Sequence, residues 1–302
     1  MSTITAADEH AHLRFPCDRA KPWKENWYFN FIDREHDAWG INHISLERHN
    51  QKARFSAFHI VDGEVLLYAN EIPIEDTFAK TTDGNLSVEI LEPMKRFRVS
   101  FTGPGHSVDL IYDARFDVFD YANEHQVGED GSLPDFAIEH YEQALTVSGT
   151  LTKSGATRAI SCLGHRDHSW GFRDESLIAG WNWVAVQFPD KTFNFSEVRL
   201  DGGGSPLRRG FVSEAAGNTG IRDVRVVSTE RGADGVPTSS TFEAVDEKGR
   251  AWTFVSQRFS GLVLPLSGRG RPVVIYENFA DYTLVQTGER GVGIDEVLAD
   301  LP

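Results

Sequence analysis

The strongest constraint on this chain is an alternation of apolar and polar residues with period two, plainest in Arg96-Phe97-Arg98-Val99-Ser100-Phe101-Thr102. Phe97, Val99 and Phe101 share one face and Arg96, Arg98, Ser100 and Thr102 the other, which predicts a strand with one side on a core. The same pattern predicts strands at 55–61, 64–69, 86–91, 108–112, 144–151, 181–188, 193–200, 222–228, 241–245, 251–257 and 272–276. Short turn signals punctuate them, among them Asp62-Gly63, Gly103-Pro104-Gly105, Pro189-Asp190 and Asp246-Glu247-Lys248-Gly249. Connections this short join antiparallel neighbours, because parallel strands need long crossovers. The expected fold is therefore all-β, as antiparallel barrels or sandwiches. Only residues 295–301 carry a weak helical pattern.

The 302 residues suit two domains of ordinary size. Two loop-like stretches are candidates for the division, 124–136 and 201–206, and the first lies near the midpoint. The predicted domains are 1–136 and 137–302. No repeat of 20 to 50 residues is visible, so propellers and solenoids lose weight.

A formal charge of −15 argues against nucleic acid and anionic membrane surfaces as partners. No apolar run approaches the ~20 residues of a membrane-spanning helix. Cys17 and Cys162 match neither a disulfide framework nor a thiolate metal site. The N-terminus shows no secretory pattern, and a reduced, cytoplasmic setting is expected. Arginines outnumber lysines 22 to 8, a bias that suits paired and stacked sites.

The densest polar stretch is Gly164-His165-Arg166-Asp167-His168-Ser169-Trp170-Gly171-Phe172-Arg173-Asp174. Three readings fit it. Arg166, Asp167, Arg173 and Asp174 suit an ion-pair network that pins two β units together. His165 and Asp167, which point the same way on a strand, suit two ligands of a metal triad completed by His140, His125 or His59. Asp167 beside His168 suits acid–base chemistry with no metal. Aromatic residues nearby, Trp170, Trp181 and Trp183, with Trp27 and Tyr28 in the other half, serve equally as sheet core or as cavity walls whose π faces stabilise a cation. His140-Tyr141-Glu142-Gln143 reads as a solvated edge. Gly202-Gly203-Gly204 opens no helix and lacks the Lys-Ser/Thr of a phosphate loop, and no Gly-x-Ser-x-Gly elbow occurs.

The Asp167-His168-Ser169-Trp170-Gly171 stretch resembles the Asp-His-x-Trp-Gly core of the carotenoid 1,2-hydratase (hydroxyneurosporene synthase)-like and AttH-like proteins, and its longer Arg-Asp-His-Ser-Trp-Gly-x-Arg form a bacterial branch of that group. The resemblance implies two lipocalin-like barrels side by side, with a site for an apolar substrate and reactions that need no redox cofactor; no cofactor is expected. It places Asp167 and His168 nearest the polar centre. Ser169 stands where the hydratase form has Asn.

The expectation is a cofactor-independent lyase or isomerase, of hydratase or dehydratase type, acting on an apolar terpenoid, steroid-like or aromatic molecule. Asp167, His168, His165, Arg166 and Arg173 are the candidate catalytic residues, and Trp170, Trp181, Trp183, Trp27 and Tyr28 the candidate substrate contacts. No metal ligands are assigned. A non-catalytic carrier of an apolar ligand and a metal-dependent enzyme are the alternatives. The sequence leaves the oligomeric state open, a homodimer included.

Overall fold

A computed structural model describes residues 4–12, 22–74, 81–121, 138–172, 178–266 and 272–300. The chain divides into two compact units, Met1–Asp174 and Glu175–Pro302. The division falls well after residue 136, which corrects the predicted boundary. The reason is topological. Strands β9 (Ile138–Lys153) and β10 (Ala156–Phe172) pair with strands of the first half of the chain, so the motif belongs to the N-terminal unit, not the C-terminal one. The loop expected at 124–136 lies outside the described residues.

The first unit also contains β1 (Trp23–Asp33), β2 (Ala38–Glu47), β3 (Lys52–Val61), β4 (Glu64–Pro73), β5 (Leu86–Glu92), β6 (Arg96–Gly103), β7 (His106–Ala114) and the short β8 (Phe119–Asp120). They form one ten-stranded antiparallel sheet in the order β4-β3-β2-β1-β10-β9-β7-β6-β5, with β8 paired to β9. The sheet curls onto itself. Phe29 on β1 meets Phe97 on β6 and Tyr112 on β7 at ring distances of 5.6 and 5.1 Å, although three strands separate β1 from β6. One apolar cluster fills the hollow, with Trp27, Phe29, Phe31, Phe55, Phe97, Phe101 and Leu145 among its members. The alternation seen in 96–102 is explained by this core: Phe97, Val99 and Phe101 are at most 1% exposed, each burial contributing roughly 1.5–3 kcal/mol.

The second unit is a closed antiparallel barrel. Its strands are β11 (Ile178–Gln187), β12 (Lys191–Leu200), β13 (Leu207–Glu214), β14 (Gly217–Arg231), β15 (Pro237–Asp246), β16 (Ala251–Leu266), β17 (Val273–Leu284) and β18 (Glu289–Asp300). Phe188, Phe193, Phe195, Phe242, Phe254 and Tyr282 pack inside it. The helical expectation at 295–301 is overturned. Residues 289–300 close the barrel by pairing with both β11 and β17, and that pairing overrides a weak local preference. Among the described residues helical structure is confined to 3₁₀ turns, Ala6–Glu9 and Arg48–Asn50 among them, and no helix is long and apolar enough to cross a membrane.

Candidate functional site

The motif occupies the last half of β10, an interior strand flanked by β1 and β9. Close backbone approach begins at Gly164, where a Cβ would sit 2.3 Å from the Asn30 carbonyl oxygen. Beyond it, strand alternation sends Arg166, His168 and Trp170 to one face of the sheet and His165, Asp167 and Ser169 to the other. Asp167 and His168, adjacent in sequence, therefore serve different surroundings.

The inner face joins the core. Arg166, less than 1% exposed, donates to both oxygens of Glu9 at 3.0 and 2.8 Å and to Gln143 Oε1 at 3.0 Å, and its guanidinium lies 4.1 Å from the Phe97 ring centroid. Tyr141 donates its hydroxyl to Glu9 Oε2 at 2.9 Å and stands 2.8 Å from His168 Nδ1. His168 Nε2 faces Glu25 Oε1 at 3.1 Å, and His12 Nδ1 reaches the same oxygen at 2.7 Å. Trp27 stacks on His168 with centroids 4.5 Å apart, and His12 stacks on Trp170 at 4.2 Å. Burial opposes the charge of Glu9, but Arg166, His168 and Tyr141 outweigh it and lower its pKa. For His12 burial is likewise outweighed, by Glu25 and Asp8, and the imidazole pKa rises. With its polar groups engaged, this network fastens residues 6–12 to the sheet, and Arg166 has the ion-pair role anticipated for the motif, with a carboxylate 157 residues away.

The outer face gathers a second cluster. Glu142 on β9 is fully buried and holds an imidazole at each oxygen: His165 Nε2 at 2.6 Å and His140 Nε2 at 3.1 Å. His140 Nε2 also lies 3.7 Å from Asp167 Oδ2, although its alignment completes a hydrogen bond with neither carboxylate. Tyr121 stacks flat on His140, with centroids 4.8 Å apart. Asp167 is the accessible member, its side chain 22% exposed, and its Oδ1 has no hydrogen-bond partner. Burial alone would raise the pKa of Glu142; His140 and His165 outweigh it and bring it down to about 2. Burial alone would lower that of His140; Asp167 and Glu142 outweigh it and raise it. Tyr28 lies on this face too, and Asn30 donates to its hydroxyl at 3.2 Å.

Two trios bring metal-ligand atoms within 4.8 Å of one another: His12, Glu25 and His168, and His140, Glu142 and Asp167. The inner trio is committed to hydrogen bonds, whereas the outer keeps unpartnered atoms on His140 and Asp167. Of the three histidines considered as partners of His165 and Asp167, His140 joins them. His59 lies in the core between Asn42 and His106, its pKa driven down to about 3 by burial and then by the His106 charge. His125 is outside the described residues, as are Arg173 and Cys17. Cys162 is no nucleophile at neutral pH, because burial and then Asp33 push its thiol to about 12.

Trp181 and Trp183 stand in the second unit, on the face of β11 opposite its barrel core. Trp181 donates to Glu296, and Trp183 is the register partner of Glu296. Glu277 neighbours Glu296 across β17 and β18, and its pKa is raised well above the carboxylate range, by burial and then by the Glu296 charge. Glu9, Glu25 and Glu142 carried no functional assignment in sequence. A signal existed for Glu142: His140-x-Glu142 repeats the same-face spacing of His165-x-Asp167 on the neighbouring strand.

A curled antiparallel sheet followed by a closed antiparallel barrel, with a buried histidine–carboxylate cluster on the sheet, defines a class of double-β proteins. The chain belongs to the family described as a domain of unknown function, DUF7064, whose model matches residues 5–300. No curated protein matches it. The fold is shared with a candidate AttH protein of Nitrosomonas europaea (12% identity, TM-score 0.71, covering 99% of this chain and 97% of that one). It is shared with CghA in complex with Sch210972 (11%, TM-score 0.66, 93% and 89%) and with kievitone hydratase from Nectria haematococca (13%, TM-score 0.63, 99% and 96%). The AttH-like resemblance carried by the Asp-His-Ser-Trp-Gly stretch thus holds for the fold.

Proposed function

We propose that the protein is a small-molecule enzyme of hydratase or dehydratase type, a lyase or isomerase acting on an apolar terpenoid, steroid-like or aromatic substrate, with its acid–base step at His140, Glu142, His165 and Asp167. The observation that carries the proposal is Glu142, buried, hydrogen-bonded to His165 and within ion-pair distance of His140, beside the partly exposed Asp167. Kievitone hydratase, named for a hydration, and CghA, solved with a small molecule, support a small-molecule activity on this fold.

The chemistry follows from the charges. Glu142 stays ionised and favours the protonated form of His140, giving an acid whose pKa lies above 6.5, a suitable donor near neutral pH. Loss of water from an alcohol needs a proton delivered to the leaving hydroxyl and another removed from the adjacent carbon; addition of water is the reverse. His140 supplies the first, and Asp167, the member open to a ligand, accepts the second. Glu142 fixes the His165 ring at the cluster's buried end. Asp167 thus works with His140 rather than with His168, whose side chain faces the core.

The test is a screen of apolar alkenes and alcohols by mass spectrometry for gain or loss of water. Turnover by the native protein that is lost in Asp167→Asn and His140→Gln supports the assignment. Binding with no mass change makes the protein a carrier, and turnover surviving both substitutions places the site elsewhere.

A second reading rests on the unpartnered atoms of His140 and Asp167: a divalent ion such as zinc held by His140, Glu142 and Asp167. Stoichiometric metal in protein purified without chelator, lost in His140→Gln, would establish it.

A further inference from the structure

The interior of the β11–β18 barrel changes character along its length. Beyond the packed phenylalanines, five neighbouring strands turn polar side chains inward at one level: Ser240 on β15, Ser256 and Arg258 on β16, Asn278 on β17, Asp295 on β18 and Asn182 on β11. Register places them inside. Arg258 is opposite Ala280, Ser240 opposite Ser256, and Asp295 opposite both Asn278 and Val184, with Ala280 and Val184 belonging to the barrel core.

Two groups at this level lack the partners their chemistry asks for. Arg258, half-buried, donates to the neutral amide oxygen of Asn278 at 3.0 Å and has no carboxylate within ion-pair distance among the described residues. Burial lowers its pKa, outweighing the charge of Asp234, with which it forms no ion pair. Room for its guanidinium depends on Gly261, where a Cβ would meet Arg258 Nη2 at 3.0 Å. Asp295 is 2% exposed, and its Oδ1 has no hydrogen-bond partner. Three further arginines stand nearby in sequence register. Arg208 bonds Glu197 at 2.9 Å, Arg199 bonds Asn182 at 3.4 Å, and Arg231 lies 5.7 Å from the Tyr276 ring. These three lie toward the rim rather than the interior, Arg231 exposed and Arg199 and Arg208 partly so, and Arg199 and Arg208 share Glu197.

We propose that the polar end of this barrel interior binds the carboxylate of a small apolar acid, with Arg258 receiving the carboxylate and Asp295 bonding to it alongside. A guanidinium fork matches a carboxylate in two parallel hydrogen bonds, which Asn278 cannot supply. Below its folded pKa, the Asp295 carboxyl can donate from Oδ1, the atom left without a partner, to a carboxylate oxygen. The apolar body of the acid lies along the inward Val274, Tyr276 and Val297, beyond the Asn278 and Asp295 level. The site is in the second unit and is independent of the acid–base assignment in the first.

Calorimetric titration of the full chain with octanoate tests the proposal, with octan-1-ol, octyl sulfate and inorganic sulfate as comparisons. Saturable octanoate binding is expected, weakened at least about tenfold in Arg258→Gln and partly restored in Arg258→Lys, since the substitution removes a charge-assisted hydrogen bond to the carboxylate. If Arg258→Gln fails to fold, Arg231→Gln replaces it, with a smaller loss expected from its charge near Asp295. Octanol binding as tightly as octanoate, equal binding by the Arg258 variants, or no saturable octanoate binding at millimolar concentration overturns it. Equal binding of octyl sulfate overturns the carboxylate class.

Discussion

Glu142 Oε2 and His165 Nε2 stand 2.6 Å apart, from neighbouring strands, in a setting where neither side chain is more than 1% exposed. The other Glu142 oxygen faces His140, so one carboxylate carries two imidazoles. Everything proposed for the first unit depends on that carboxylate remaining charged.

Glu142→Gln keeps the shape and removes the charge. Its folded pKa of about 2 lies below the 4.5 of the free group, so its stabilisation is present above pH 4.5 and lost as pH falls through 2. His140 has the opposite sign: its raised pKa stabilises below 6.5, and that contribution is lost as pH rises through the folded value. Both are present together between 4.5 and 6.5, and there chemical denaturation is expected to show the largest loss for Glu142→Gln, about 3–5 kcal/mol.

Arg166→Met leaves Glu9 buried without its counter-ion, and an expected loss of about 3–5 kcal/mol follows. Glu9→Gln in the same chain removes the stranded charge, so the double variant is more stable than additivity predicts, by about 1–3 kcal/mol in a denaturation cycle. Additive losses would show that Arg166 and Glu9 do not act as a pair.

Much of this fold was readable from the alternation of residues, because most strands bury one face only. Strands β1 and β2 were missed for the opposite reason. Nearly every residue of Trp23–Asp33 and Ala38–Glu47 is buried, so no alternation marks them. The domain boundary was misplaced because β9 and β10 return to pair with β1 and β7, a long-range event with no local signal. Within the motif, the residue types were right and the partners wrong. Adjacency in sequence suggested Asp167 with His168, whereas the two-residue period of a strand assigns them to opposite faces. Glu9 and Glu25 lie more than 140 residues from Arg166 and His168, a distance that only the sheet closes.

Asp295 makes the barrel sensitive to pH. Burial raises its pKa from 3.8 to about 7, against hydrogen bonds from Ser240 and Asn182 and the charge of Arg231, while Glu296 adds to the rise. A raised folded pKa stabilises fully below 3.8, and that contribution is lost as pH rises to 7. Asp295→Asn removes the dependence. Across that window the native protein is expected to lose stability relative to the variant by about 1.4 kcal/mol per pH unit, with no further divergence above it. Parallel stability curves would show Asp295 to be ionised in the fold.

His140 and Tyr141 are neighbours on β9 that point to opposite faces, and their substitution separates the two roles assigned to the sheet. The decisive measurement compares kcat for His140→Gln and Tyr141→Phe on a substrate found by the mass screen, with Tm recorded for each. His140→Gln is expected to lower kcat by about 10²–10⁴, the range for loss of a general acid. Tyr141→Phe is expected to cost about 1–3 kcal/mol of stability, through the hydroxyl lost between Glu9 and His168, with kcat within about twofold of native. A large loss of kcat in Tyr141→Phe with His140→Gln left active would place the chemistry on the inner face and contradict the account.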